Sequence, residues 1–365
     1  MKPMKYQNFL KELSETEKLV TKFISDQACS GIRIKPPVIE TGIMSYVKHG
    51  GKRLRPSVLM LSCMAVGGSK EMALPAAAAV ELFHTWTLVH DDIIDNDSLR
   101  RGKETVHITA GKYGENHLKL DPGVARKYGI DSAILTGDVQ HGWSISLLSD
   151  NLPKAGVRHD VALHLITMLQ VNVLRTLVEG EMLDVEFGLC SDIQKLSDDQ
   201  ILDMLWKKTG ILYEYCGIAG ALIGKNVLEY DEQVEALKVF CSLCGTSFQV
   251  RDDILGLVAK ESELGKPVGS DIREGKKTLL VREALTNANE SQKAEIVSVL
   301  GNPKATGSEI EKITKLITDL GGVEKARKIA QEYVSRAIPK LDKLPDSVSR
   351  DLLYDWANYM IERSY

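Results

Sequence analysis

The chain has 365 residues, 44% of them hydrophobic and 26% charged, with a formal net charge of -4. That length supports one large core or two modest ones, and a single domain over 1–365 is expected; the near-neutral balance excludes the basic field that nucleic acid requires. Six cysteines (Cys29, Cys63, Cys190, Cys216, Cys241, Cys244) lie in apolar helical sequence without secretory features, which points to buried thiols in a cytoplasmic protein.

Helical spacing predicts an amphipathic opening helix over Tyr6 to Ser25, then a breaker-rich loop from Gly31 to Pro37. Gly50-Gly51-Lys52-Arg53-Leu54-Arg55-Pro56 follows. Two glycines free the backbone beside three cations, which suits a closely approached phosphate and equally a solvated basic turn.

Met72 to Val80 is almost all Ala and Leu, with Pro75 fitting the first turn of a buried helix. The run continues through His84, Trp86 and His90 and ends in acid at Asp91-Asp92-Ile-Ile-Asp95. These polar residues interrupt the best membrane-span candidate, and the N-terminus lacks a signal-peptide pattern, so an integral membrane protein is not expected. On a helix Asp91 and Asp95 share a face with Asp92 beside them, an arrangement that repels itself unless a cation sits there. Oxygen-only ligands with room for waters and phosphate describe magnesium better than zinc or calcium. A solvated acidic helix end is the alternative, and the apolar residues before it argue against that.

Arg100-Arg101-Gly102 sets two guanidinium groups close to these acids, which reads as a shared anion rather than internal ion pairing. The glycine-bearing stretch 108–129, with Lys-Tyr-Gly twice, reads as an inserted loop. Helical sequence resumes from Ser132 to Leu148 and again from Val161 to Glu186, where Glu179, Glu181, Asp184 and Glu186 recur on nearly one face. They suit either a polar helix edge or a site. Lys207 and Lys208 are embedded beside apolar residues and imply an anion.

A second apolar run, from Phe240 through Phe248 and Gln249, also ends in paired aspartates, Asp252 and Asp253. Within it Cys241 and Cys244 have C-x-x-C spacing, but no second pair completes a zinc site, so they read as packing residues. If both acidic ends reach one cavity mouth, divalent ions there would clamp a polyphosphate. Glycines and lysines from Glu263 to Thr278 could close over phosphates. Ile310, Ile313, Ile317 and Leu320, then Val323 to Val334, read as packing helices around a Gly321-Gly322 break. Strand signals are nearly absent, so the class is all-α.

In this order the segments 50–56, 91–95 with 100–102, Lys208-Thr209, and Phe248-Gln249 ahead of Asp252-Asp253 resemble the trans-isoprenyl diphosphate synthases (polyprenyl synthetases), especially the archaeal geranylgeranyl diphosphate type. The resemblance covers roughly Gly50 to Thr278. It implies an antiparallel helix bundle around a deep central cavity, commonly a homodimer, with magnesium at the mouth. It also implies metal ligation by Asp91, Asp95 and Asp252 with Asp92 and Asp253 in support. Arg100, Lys208 and Lys266 would hold the allylic diphosphate; Gly51, Lys52, Arg55, His84 and Arg101 would hold isopentenyl diphosphate. Lys276 would cover the phosphates, and Thr209, Phe248 and Gln249 would line the reaction centre.

The sequence departs from the family pattern at Gly256, where a third aspartate is common, and at Glu181, where glutamine is common. Trp86 lies five residues before Asp91, about 7.5 Å up the helix, and a ring there would stop a growing tail. A short product is expected, C20 first, with C15 and C25 as neighbouring outcomes. Two rivals stand beside the synthase. A terpene cyclase needs no isopentenyl site, and a catalytically silent partner subunit needs neither acidic pair.

Overall fold

The structure is a computed structural model that describes residues 6–31, 34–190, 193–258 and 269–362. The class is all-α, as expected, apart, among the described residues, from one hairpin of two-residue strands, β1 (Leu99–Arg100) and β2 (Lys103–Glu104). The fold divides into two compact units, Met1–Ile166 with Ala219–Tyr230, and Thr167–Ile218 with Asp231–Tyr365.

The first unit contains α1 (Gln7–Gly31), α2 (Pro37–Lys48), α3 (Leu54–Ala65), α4 (Lys70–Ile94), α5 (Val106–His117) and α6 (Pro122–Ser146). A π-helical turn (Leu147–Asn151) and α7 (Leu152–Lys154) extend α6, and α8 (His159–Thr167) follows. The Ser69 hydroxyl caps α4 by accepting from the Met72 amide at 3.3 Å. Because that cap starts the helix at Lys70, Pro75 stands inside it rather than in its first turn. Ala76 to Ala79 are fully buried, and Val80, Leu82 and Phe83 beside them each contribute roughly 1.5–3 kcal/mol of burial. Small residues here let α3 and α6 come close to α4.

The stretch 108–129 is not a loop. Its residues form most of α5 and the start of α6, joined by a short link around Leu118 to Asp121. Glycine serves packing there: a Cβ on Gly111 would lie 3.3 Å from the Ala125 carbonyl, and one on Gly129 would collide with the His107 carbonyl.

The second unit contains α9 (Leu174–Leu189), α10 (Asp198–Leu205), a π-helical turn at Trp206–Gly210, most of α12 (Glu232–Val258) and the C-terminal helices; α11 (Ile211–Lys225) begins here and ends in the first unit. After α12 come α13 (Ser270–Glu274), α14 (Leu279–Asn287), α15 (Glu290–Val299), α16 (Gly307–Asp319), α17 (Gly322–Ala337) and α18 (Val348–Glu362). The stripe read in the sequence holds, since Ile310, Ile313 and Ile317 are buried in a core with Val250, Ile254 and Leu280. Thr306 and Glu309 form a reciprocal capping box on α16, and Gly321, at φ +88°, makes the break before α17.

Cys63, Cys216, Cys241 and Cys244 are buried and Cys190 is half-buried, which fits the packing role read for them; the side chain of Cys29 lies outside the described residues. Burial pushes the Cys63 thiol up to about 12. The expectation about membrane spans needs correction. Among the described residues two helices, Lys70–Ile94 and His159–Leu189, are by length and composition apolar enough to cross a membrane, with 67% and 33% of the respective windows buried within the protein. A core helix passes the same test, and α4 is one.

Candidate active site

In the first unit the acidic end of α4 is an organised cluster. Asp91 lies on the last helical turn and Asp95 caps it, its amide donating to the Asp91 carbonyl at 2.8 Å. Asp92 is 0% exposed, accepting from the Tyr46 hydroxyl and from Arg100 Nε at 2.6 Å. Burial pushes the Asp92 carboxyl up, and Arg100 and Tyr46 draw it partly back. Burial works against the Arg100 charge too, yet Asp92 and Asp91 outweigh it and hold the guanidinium above its usual range.

Arg100 also reaches Asp91 at 3.1 Å and Asp97 at 3.7 Å. This corrects the expectation that the arginine there avoids internal pairing. Three carboxylates compensate this desolvated cation.

The glycine-basic segment packs onto the second arginine. Arg101 donates to the Gly50 carbonyl, and a Cβ on Gly51, at φ +133°, would strike the Arg101 guanidinium. Only glycine permits this approach. Arg55 Nη1 lies 3.0 Å from His84 Nε2, while burial and then Arg55 itself hold the imidazole well below its usual range. His84 is therefore neutral and accepts from Arg55. Lys52 is exposed.

Arg53, one of the three cations expected beside a phosphate or in a solvated turn, is neither: it is left-handed at φ 46° and pairs with Glu81, and both residues are 3% exposed. A lone glutamate inside the apolar run of α4 was the sign of this pair, since a buried carboxylate demands a cation. Trp86 is half-buried, with its ring centroid 5.0 Å from Phe83 and 4.8 Å from His141 of α6.

In the second unit the π-helical turn presents Lys208, whose Nζ is 2.7 Å from Asp184 Oδ2 and 3.0 Å from Glu181 Oε2. Lys207 instead pairs with Glu179 at 2.6 Å and Asp203 at 2.7 Å. Carboxylates compensate both lysines in this structure. Thr209 donates to Gln249 Oε1 at 2.8 Å, and Gln249 Nε2 donates to Asp253 Oδ1 at 3.2 Å. Phe248 packs on Tyr213, with ring centroids 5.7 Å apart. Burial pushes the Asp253 carboxyl well up, and the charges of Asp271 and Asp184 add to it.

Part of the glycine-lysine segment is helical: α13 occupies 270–274, and Thr278 caps α14 by accepting from the Val281 amide. Lys276 Nζ is 3.0 Å from Glu274. Lys266 lies outside the described residues.

The model of the polyprenyl synthetase family matches residues 36–317. The chain belongs to this family. It is a trans-prenyltransferase. It is 37% identical over 321 residues to the geranylgeranyl diphosphate synthase of Methanosarcina mazei, covering 87% of this chain and 88% of that one. The geranylgeranyl pyrophosphate synthetase structure from Pyrococcus horikoshii superposes with a TM-score of 0.82 at 32% identity, over 99% of this chain and 100% of that one. A third relative is the geranylgeranyl pyrophosphate synthase from Corynebacterium glutamicum, complexed with isoprenyl diphosphate and magnesium. Its TM-score is 0.84 at 26% identity, over 98% of this chain and 99% of that one.

Polyprenyl synthetases imply a divalent metal, and the donor set here fits one. The carboxylates that close α4 and those of α12, which lie inside the helix rather than at its end, each offer oxygen only, and Asp253 sits among like charges from Asp271 and Asp184 that a cation would relieve. Among the described residues no three His, Cys, Asp or Glu side chains stand together as a ready-made ion cage. Magnesium is commonly held by one or two carboxylates completed by phosphate oxygens and waters.

Proposed function

We propose that the chain condenses isopentenyl diphosphate with an allylic diphosphate to a C20 product, geranylgeranyl diphosphate. Magnesium, when bound, neutralises diphosphate and makes it a better leaving group. Asp91 and Asp95 on α4 and Asp252 on α12 would hold it, with Asp92 and Asp253 in support. Arg100, Lys208, Lys266 and Lys276 bind the departing diphosphate. Thr209, Phe248 and Gln249 line the reacting carbon, where the Thr209–Gln249 dipoles favour positive charge. The isopentenyl double bond attacks that carbon, and the proton it then loses passes to the departing diphosphate.

Gly51, Lys52, Arg55, His84 and Arg101 bind isopentenyl diphosphate. The observation that carries this reading is the neutral His84 hydrogen-bonded to Arg55: it orients the guanidinium fork while adding no charge to the neighbouring arginines. A cyclase, which takes one diphosphate, has no use for this second cationic set. Steady-state kinetics of Arg55→Gln test it. The KM for isopentenyl diphosphate should rise at least about tenfold, the cost of one charge-assisted contact, with the allylic KM unchanged; an equal rise in both would contradict the assignment.

The same reading treats both compact units as one synthase domain, working as a homodimer in the cytoplasm. The span of the family match across both units supports the first part.

A further inference from the structure

The turn that carries Lys52 and leads to Arg55 has a costly backbone. Gly50, Gly51 and Arg53 have φ of +77°, +133° and +46°, and Arg53 has a Cβ, which makes the left-handed region unfavourable. What holds Arg53 there is its own guanidinium. One arm donates to Glu81 of α4, and the other donates at 2.5 Å to the carbonyl of Val47 in the last turn of α2. The Arg53 carbonyl meanwhile starts α3, accepting from the Ser57 amide at 3.0 Å and from its hydroxyl at 2.9 Å. A single buried residue thus joins three helices. Glu81 and His84 share a face of α4, so the pairs Arg53–Glu81 and Arg55–His84 tie the start of α3 to that face at two adjacent points.

We propose that Arg53 and Glu81 are positioning residues for isopentenyl diphosphate: the buried pair fixes the turn 50–53 against α4 and thereby sets where Lys52 and Arg55 stand. The inference rests on the synthase reading above. Both side chains are buried, so they act through exposed Lys52 and half-buried Arg55 rather than on the substrate. A buried ion pair is a poor source of stability, because desolvation of the two charges offsets their attraction. What two directional arms add is register. An apolar pair would fill the same space and let the turn slide, and a displacement of about 1 Å is enough to spoil a positioned contact.

Steady-state kinetics with both substrates, alongside melting curves, test this on the full-length protein. Arg53→Met breaks the pair and should melt lower. Adding Glu81→Leu should restore the melting temperature, since no charge is then left stranded. In that double variant the KM for isopentenyl diphosphate should nonetheless stay raised about tenfold, as in Arg55→Gln, with the allylic KM unchanged. Arg53→Lys is the second variant. It keeps a charge opposite Glu81 but replaces the two-armed fork by one ammonium, and the same KM should rise a few-fold. A wild-type KM for isopentenyl diphosphate in the double variant or in Arg53→Lys, or equal rises for both substrates, would overturn the proposal. Arg55→Gln separates the two readings. If it raises the KM for isopentenyl diphosphate while the Arg53 variants do not, the positioning role alone falls; if it leaves that KM untouched, the substrate assignment falls as well.

Discussion

Arg100 Nε lies 2.6 Å from Oδ1 of Asp92, and Asp92 is wholly buried at the point where α4 ends. With Tyr46 on its other oxygen, Asp92 anchors the arginine and leaves Asp91 and Asp95 on the more accessible side. In a helix end of like charges, one acid is thus paired with a cation. Removing that acid leaves Arg100 with Asp91 at 3.1 Å and Asp97 at 3.7 Å in place of its closest partner. Asp92→Ala should cost about 3–5 kcal/mol in urea unfolding, the usual cost of leaving half of a buried pair. A loss comparable to an exposed pair, under about 1 kcal/mol, would mean that Arg100 repairs itself with Asp91 and Asp97.

His84 sets a pH dependence. Its folded-state affinity for protons is lowered, whereas the unfolded chain protonates it near the ordinary value of about 6.5. Below that pH the unfolded state binds more protons, so stability falls as pH falls. Asp253, raised in the folded state, contributes with the opposite sign. The His84 share is isolated by comparing wild type with His84→Gln: between about pH 7.5 and about pH 5.5 wild type should lose roughly 1 kcal/mol more than the variant. Parallel curves would show that His84 titrates normally.

Trp86 stands against Phe83 and His141, and the absence of a side chain at Gly137 of α6 makes room for its ring. Trp86→Ala should lengthen the main product by at least one isoprene unit, read by product chromatography. An unchanged profile would place the floor elsewhere.

Glu181 takes up part of the Lys208 charge at 3.0 Å, sharing it with Asp184. Glu181→Gln keeps a hydrogen-bonding oxygen but removes a competitor for the lysine. It should lower the KM for the allylic diphosphate a few-fold and change stability by less than about 1 kcal/mol. A raised KM would make Glu181 part of the metal-binding set.

What the sequence made legible was chemistry written in local contrast. Apolar runs ending in Asp91-Asp92 and Asp252-Asp253 stand out because carboxylates so seldom follow such residues without a purpose, and the Ile310, Ile313, Ile317 stripe was readable from helical period alone. The stretch 108–129 was misread because Gly111 and Gly129 look like breakers when no neighbour is known; in the fold they are contact points between α5 and α6. Pairings across distance were equally hidden. Nothing local in Asp271 announces that it meets Gly256, nor in Tyr46 that it meets Asp92. Lys208 and Arg100 were visible as cations, but their present partners depend on side-chain geometry that no spacing rule reaches.

Incubation of the purified protein with magnesium, farnesyl diphosphate and labelled isopentenyl diphosphate tests the central claim most directly. The account expects label in a C20 diphosphate, abolished by a chelator and restored by added magnesium. Hydrocarbon formed from farnesyl diphosphate alone, or no labelled product at saturating metal, would contradict it.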